Sequence, residues 1–320
     1  MMIKEIKQIA KLLKKAKKIA LFTHINPDCD ALGSTFGLYY ALKQLNKKVD
    51  IYSKDPFTAV EKVLFDESVI KKTLCRTKEY DLFVACDVPS YFRLGEYEKT
   101  FHENQNFVVV DHHQNAGLKG LHNYIDPARS SCCELMLDII KMLKVKITKE
   151  IASCLYVGLS SDTTSFVNSN TNSKSFQTAS QLINYGADVC ALNETLYHTR
   201  TRKSIDFKKY LWNNFKIKGD CAYCVMPYEE LSRLKGKKSD CDGYSTSLIS
   251  IQGVNYSFSI VEEKTGYFSV SMRSKIGYDV RSKAELLGGG GHLCAAGVKF
   301  KAKDMEDAKN KVLAVIKKEN

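Results

Sequence analysis

Four short segments concentrate carboxylates and imidazoles: His24-Ile-Asn-Pro-Asp28-Cys-Asp30-Ala-Leu-Gly33-Ser34, Cys86-Asp87-Val-Pro-Ser90, Val110-Asp111-His112-His113 and Ser160-Ser-Asp162-Thr-Thr-Ser165. Brought into one cleft, Asp28, Asp30, Asp87, Asp111 and Asp162 would stand beside His24, His112 and His113. Two carboxylates about 4 Å apart repel by roughly 4 kcal/mol at an effective dielectric of about 20. Such a cleft needs protons or cations to hold together. Oxygen and imidazole donors, with no thiolate at suitable spacing, suit hard or borderline divalent ions. Two ions about 3.5–4 Å apart can share a bridging carboxylate and a bridging water, lower that water's pKa and hold a phosphoryl oxygen for in-line attack. The chemistry expected is metal-assisted phosphoester hydrolysis.

Each segment alone says little. Asp28-x-Asp30 with Gly33 is similar to a calcium loop, but Leu32 and Tyr39 stand where that loop needs oxygen ligands. An aspartate after a strand is also a common helix cap, and paired histidines occur by chance. The joint occurrence of the four segments in this order carries the metal reading.

The positioning elements follow from periodicity. Ile3, Ile6, Ile9, Ala10, Leu13 and Ala16 recur at helical spacing between lysines. A strand at Lys18 to Thr23, a helix at about Ala31 to Leu45 and strands at Lys48 to Tyr52, Asp81 to Cys86 and Phe107 to Val110 come next, then helices around Cys132 to Leu143 and Thr148 to Leu159. Strands alternating with helices predict parallel βαβ units, whose strand ends converge on one crevice. The first three segments follow strands directly; the fourth ends a helix. From about Gly186 to Leu211 the chain is charged and helical, with Arg200, Arg202, Lys203, Lys208 and Lys209. It reads as a solvated connection in preference to a nucleic-acid contact. Beyond it, Ile217 to Met226, Ile251 to Val261 and Tyr267 to Met272 alternate as strands. A helix at about Val280 to Leu287 leads into the turn-like run Gly288 to His292, and a strand and helix close the chain. The expected fold is α/β: a parallel-sheet domain over 1–186 with helices on both faces, a helical linker over 187–211 and a smaller α/β domain over 212–320.

Composition bounds the rest. The 320 residues are 44% hydrophobic and 26% charged, which excludes a disordered chain or a disulfide scaffold. No apolar run approaches the roughly 18 residues of a membrane span, and only Ile19 to Phe22 follows the Lys-rich start, too short for a signal peptide. A cytoplasmic protein with no membrane partner is expected. Lys and Arg number 48 against 36 acids, a net +12, which favours an anionic partner. The eleven cysteines read as small buried hydrophobes. Cys221 and Cys224 sit in a strand-like run that would send them to opposite faces.

These motifs, in this order, resemble those of the DHH phosphoesterases, whose triplet reads here as Asp111-His112-His113. Gly288 to His292, followed by Ala295-Ala-Gly297, resembles the signature of the companion DHHA1 domain. Size and domain pair are most similar to the NrnA-type branch, which degrades very short RNAs and removes the 3′-phosphate from 3′-phosphoadenosine 5′-phosphate (pAp). The resemblance implies one metal on His24, Asp28 and Asp87, and a second on Asp30, Asp87, His112 and Asp162. The ions would be manganese in the usual case, with magnesium or cobalt as alternatives. It further implies that His113 faces the scissile phosphate and that Asp111 orients a histidine or supports the metal ligands from behind. The glycine run fails the dinucleotide fingerprint; the resemblance implies instead that Gly289, Gly290, Gly291 and His292 hold a phosphate or ribose and that Arg273 grips phosphate. Arg129, in Asp126-Pro-Ala-Arg-Ser-Ser131, is a further phosphate candidate, with a solvated loop arginine as the plain alternative. The implied activity is hydrolysis of short oligoribonucleotides, and of pAp to AMP, by metal-activated hydroxide, the second domain anchoring the substrate's far end, with a homodimer as the candidate assembly. The alternatives are a cyclic- or linear-dinucleotide phosphodiesterase, a RecJ-like single-strand exonuclease and, from another class, a non-catalytic nucleotide-binding regulator.

Overall fold

The apolar run Leu82–Cys86, and Phe107–Asp111 with its four apolar residues before the aspartate, are buried along their whole length, as strands covered on both faces must be. In the computed structural model, which describes residues 2–74, 77–199 and 201–317 and, for His292, the backbone alone, they form the centre of the first of two units, Met1–Thr199 and Arg200–Asn320.

The first unit contains β1 (Lys18–Phe22), β2 (Lys48–Tyr52), β3 (Ile70–Lys71), β4 (Leu82–Cys86), β5 (Phe107–Asp111) and β6 (His122–Ile125). Its helices are α1 (Met2–Lys15), α2 (Cys29–Gln44), α3 (Ala59–Leu64), α4 (Glu98–Glu103), α5 (Cys132–Leu143), α6 (Lys149–Asp162), α7 (Ser173–Asn184) and α8 (Val189–Asn193). The sheet order is β3-β2-β1-β4-β5-β6, and every pairing is parallel. Strand alternation divides the core. Ile19, Leu21, Val84 and Val110 pack with Ile9 of α1, Leu32 of α2, Ile139 of α5 and Leu155 of α6. Phe22, Phe83 and Val109 face the other way, toward Leu94, Tyr97 and Phe101. From β1 the chain runs to β2 on one side and later to β4 on the other, so the crevice at their carboxyl ends is the topological switch point, the usual place for a ligand site.

The second unit carries β7 (Lys216–Lys218), β8 (Cys221–Met226), β9 (Tyr256–Lys264), β10 (Tyr267–Ser274), β11 (Gly290–His292) and β12 (Ala295–Lys301), with α9 (Arg202–Asn214), α10 (Tyr228–Arg233), α11 (Tyr244–Ile249), α12 (Arg281–Glu285) and α13 (Met305–Ile316). The order is β11-β12-β10-β9-β8-β7; β8 pairs β9 in parallel and the other pairings are antiparallel. Cys221 joins the core with Phe258 and Val312 of α13, while Cys224 joins Phe207 of α9 and Leu248 of α11 on the opposite face. Among the described residues every cysteine is a free thiol.

Three expectations change. Ile217 to Met226 is not one strand: Gly219, at φ +62°, turns it into the antiparallel pair β7 and β8. The Gly288 to His292 run is a turn only at its start, because Gly290–His292 pairs with Ala295 to Gly297. The small residues of β12 let it come close: a Cβ on Gly291 would lie 2.5 Å from the Ala295 carbonyl oxygen. Ile251 to Val261 is strand only from Tyr256, where β9 begins; the 187–211 stretch is helical, in pieces. It comprises α8, a wide helical turn at Glu194–His198 and α9, which Thr201 caps; Arg200 lies outside the described residues. No helix among the described residues is long and apolar enough to cross a membrane.

Candidate metal centre

The crevice between β1 and β4 collects the acids and histidines. His24 follows β1, Asp87 follows β4, Asp111 is the last residue of β5 with His112 and His113 directly after it, and Asp162 is the last residue of α6. Asp87 divides its two oxygens. Its Oδ2 lies 3.6 Å from His24 Nε2 and its Oδ1 lies 3.6 Å from His112 Nε2. On the first side, His24 Nε2 is also 3.6 Å from Asp28 Oδ2. On the second, His112 Nε2 is 3.7 Å from Asp30 Oδ2 and 3.5 Å from Asp162 Oδ2. His113 Nδ1 stands 3.5 Å from Asp87 Oδ1. In each of the groups His24–Asp28–Asp87, Asp30–His112–Asp162 and Asp87–His112–His113, one donor atom per residue lies within 4.8 Å of the others.

These separations are too long for hydrogen bonds and suit ligands that share an ion through bonds of about 2.1 Å. Asp87 Oδ1 is buried with no hydrogen-bond partner among the described residues, an arrangement costly for a carboxylate unless a cation answers it. The donor set therefore fits hard or borderline divalent ions. Without ions, protons take their place. Burial works against the charged form of His24, but Asp28 and Asp87 raise it to about 10. Against the same burial, Asp87, Asp162 and Asp30 raise His112 to about 9. Burial and the neighbouring Asp87 charge push Asp30 up to about 7.

The supporting contacts aim each donor. Asp28 is both cap and metal-facing group: its Oδ1 accepts from the Asp30 and Ala31 amides at the start of α2, leaving Oδ2 toward His24. Asp30 is held at the N-terminus of α5, where the amides of Cys132 and Cys133 donate to Oδ2 and Oδ1 at 2.6 and 3.0 Å. His112 Nδ1 donates to the Arg129 carbonyl oxygen at 3.3 Å, which turns Nε2 toward the carboxylates. Asp111 Oδ1 accepts from the His112 and His113 amides and from His113 Nδ1 at 2.7 Å. His24 Nδ1 has Ile25 O at 2.9 Å and Arg93 Nη2 at 2.8 Å. Ligation through Nε2 puts the proton on Nδ1, where it donates to Ile25 O.

Arg129 does not present a free guanidinium to substrate. Asp126, Glu134 and Asp138 lie 3.5, 3.3 and 2.7 Å from its nitrogens, and its backbone carbonyl is what reaches His112. Asp162 is anchored through its own carbonyl, which accepts from Asn168 and Asn170 side chains. Thr164, Ser165 and Phe166 follow it in left-handed conformations, strain of the kind stored beside functional sites. Sequence reasoning missed Arg93, the Cys132 and Cys133 amides and this left-handed turn. The pattern Ser131-x-x-Glu134, a helix start, was the available signal for the second of these.

In the second unit, Arg273 on β10 pairs across the sheet with Ala295, which pairs with His292. The register therefore sets Arg273 and the glycine strand in one row; the His292 side chain lies outside the described residues. Arg273 donates to the Met272 carbonyl at 2.8 Å and forms no ion pair among the described residues; burial lowers its pKa, with Asp242 opposing. Gly289 lies so close to β12 that a Cβ would be 2.3 Å from the Gly297 carbonyl oxygen, whereas a Cβ on Gly290 would meet open space.

Comparison with known proteins agrees with this architecture. The model of the DHH family N-terminal domain matches residues 18–159 and that of the DHHA1 domain matches residues 222–318. A Mycoplasma pneumoniae protein named bifunctional oligoribonuclease and PAP phosphatase NrnA is 29% identical over 293 residues, covering 89% of this chain and 88% of its own length. The protein of that name from Thermus thermophilus is 27% identical, covering 98% and 94%. The crystal structure of an exopolyphosphatase-related protein from Bacteroides fragilis superposes with a TM-score of 0.90 at 26% identity, covering 98% of this chain and 96% of that one. With both domain models matched in order and relatives aligned along nearly the whole chain, this protein belongs to the DHH–DHHA1 family.

Proposed function

We propose that the protein is a metal-dependent phosphoesterase that hydrolyses short oligoribonucleotides to mononucleotides and pAp to AMP. The observation that carries this reading is Asp87, whose two oxygens face two separate histidine-containing donor groups. The names of the full-length relatives supply the substrate class. His24, Asp28 and Asp87 would hold one ion, and Asp30, Asp87, His112 and Asp162 the other. Manganese is the proposed occupant on the strength of the oxygen and imidazole donors. Bound divalent ions supply Lewis acidity, lowering the pKa of a water nucleophile and neutralising phosphoryl charge. The chain's own residues do the rest. Asp111 holds His113 by its Nδ1, which fixes the ring so that its far edge can donate to a phosphoryl oxygen or leaving group. Against burial, which disfavours the charged ring, the Asp111 and Asp87 carboxylates raise His113 above the ordinary imidazole value, which favours a donor. Arg273 and the glycine strand are proposed to bind a substrate phosphate, the guanidinium by paired hydrogen bonds and the strand by its backbone amides.

A substrate panel with manganese tests the reading: pAp, RNA dimers to pentamers, cyclic dinucleotides, long single-stranded DNA and pyrophosphate. Hydrolysis of the short RNAs and pAp is expected; cleavage confined to cyclic dinucleotides, long DNA or pyrophosphate would overturn it. Asp87→Asn should abolish manganese binding and activity together, the loss in kcat exceeding ~1000-fold. Retention of both would remove Asp87 from its bridging place.

A further inference from the structure

The positive charge of the chain is unevenly divided. Residues 200–320 hold 23 of the 48 Lys and Arg but only 14 of the 36 Asp and Glu. Part of that surplus is arranged together with apolar side chains. In α9, Phe207 and Leu211 are buried, so helical geometry turns Ile205, Lys208, Lys209 and Trp212 outward at spacings of three, four and seven. Ile205 and Trp212 are each 46% exposed, and Trp212 meets Phe215 edge-on at 5.7 Å between ring centroids. The chain continues into β7, the edge strand of its sheet, where Lys216, Ile217 and Lys218 are all exposed. Arg202, Lys208, Lys216 and Lys218 form no ion pair among the described residues, and Lys209 reaches Asp206 only at 4.0 Å.

Cations left unneutralised around exposed apolar side chains contribute nothing to the unit's own packing. A second copy docking through the same face would press these lysines against one another. A polyanion that carries flat rings answers both features, since phosphates neutralise the cations and bases stack on an exposed indole. We propose that the outer face of α9 and the edge strand β7 form a holding surface for single-stranded RNA, outside the metal centre, with Trp212 as its stacking platform. The inference rests on the reading of the protein as an RNA hydrolase and extends it: this surface would retain RNA longer than the oligomers being hydrolysed.

Trp212 is the only tryptophan in the chain, so its fluorescence reports the proposed contact directly. The full-length protein, kept metal-free with chelator so that nothing is cleaved, is titrated with a 12-nucleotide oligouridylate. Expected are saturable quenching of Trp212 emission and, for about four phosphates contacted on a single strand, a ~50-fold loss of affinity between about 50 and 200 mM salt. Lys208→Glu with Lys209→Glu, and separately Lys216→Glu with Lys218→Glu, should each weaken the 12-mer at least ~10-fold. Dinucleotide hydrolysis with manganese should stay unchanged in both. Emission unmoved by the 12-mer, or both charge-reversed proteins binding it as tightly as the parent, would overturn the proposal. So would a protein-concentration-dependent blue shift without RNA, which would assign the face to a second copy. Quenching that persists in a protein inactive on every short RNA would uphold the surface and defeat the hydrolase reading instead.

Discussion

Asp87 occupies a left-handed backbone position, φ +60°, which Asp tolerates better than most residues. Its amide still bonds to Val110 O at 2.9 Å, so the backbone turns sharply where the carboxylate must enter the crevice. The surrounding histidines hold protons where ions would bind. With folded values of about 10 for His24 and about 9 for His112, above the ordinary 6.5, both rings are cationic near neutral pH. Their contribution to the metal-free fold is fully present below about pH 6.5 and is lost as pH rises through about 9–10. Asp30, raised to about 7, works in the same direction from about pH 4 to 7. Ligation needs these groups deprotonated, so metal uptake must release protons. Calorimetric titration with manganese at pH 7, in buffers of different ionisation enthalpy, should show about two protons released from the histidines, and affinity should climb from pH 7 to 9. Heat independent of buffer would mean that the rings were neutral beforehand.

The helices that carry these residues meet through glycine. A Cβ on Gly33 of α2 would lie 2.4 Å from the Cys154 carbonyl of α6, and one on Gly158 of α6 would lie 2.9 Å from Asp30 Oδ1. Close approach of α2 and α6 sets Asp30 and Asp162 beside the same His112. Gly33→Ala should cost about 1–3 kcal/mol by overpacking, read as a lower urea midpoint, and should weaken manganese binding as Asp30 and Asp162 separate. An unchanged midpoint would show that the helices can part freely. None of this was legible beforehand, because the partner of Gly33 lies on a helix far along the chain. Strands β1, β4 and β5 were legible, since apolar runs ending in Asp or His carry a strong pattern. The amides that hold Asp30 were legible only as a helix start at Ser131-x-x-Glu134, because a backbone N–H has no residue type of its own to say which carboxylate it meets. Arg129 resembled a phosphate contact until Glu134 and Asp138 appeared one and two turns into α5, where they occupy its guanidinium. Gly290–His292 read as a turn because glycine disfavours strands; pairing with the small residues of β12 overrides that preference.

Each unit has buried clusters on both faces of its own sheet, and all the proposed metal donors belong to the first. A ligand stabilises what binds it, by about 2.7 kcal/mol at a hundredfold excess over Kd. Scanning calorimetry should therefore resolve two transitions, with manganese raising one and leaving the other in place. Two transitions rising together would show that the units unfold as one. The cysteines around the crevice bear on which ions the whole molecule admits. Cys132 and Cys133 adjoin Asp30, yet their thiols donate to the Val110 and Asp30 carbonyls, and burial with the nearby carboxylates pushes both well above 9. A protonated sulfur turned onto a backbone oxygen is no ligand. Cadmium, copper(I) and other thiophilic ions thus meet no ready thiolate at Cys132 or Cys133, and these two thiols can stand beside the metal centre without competing for its ions.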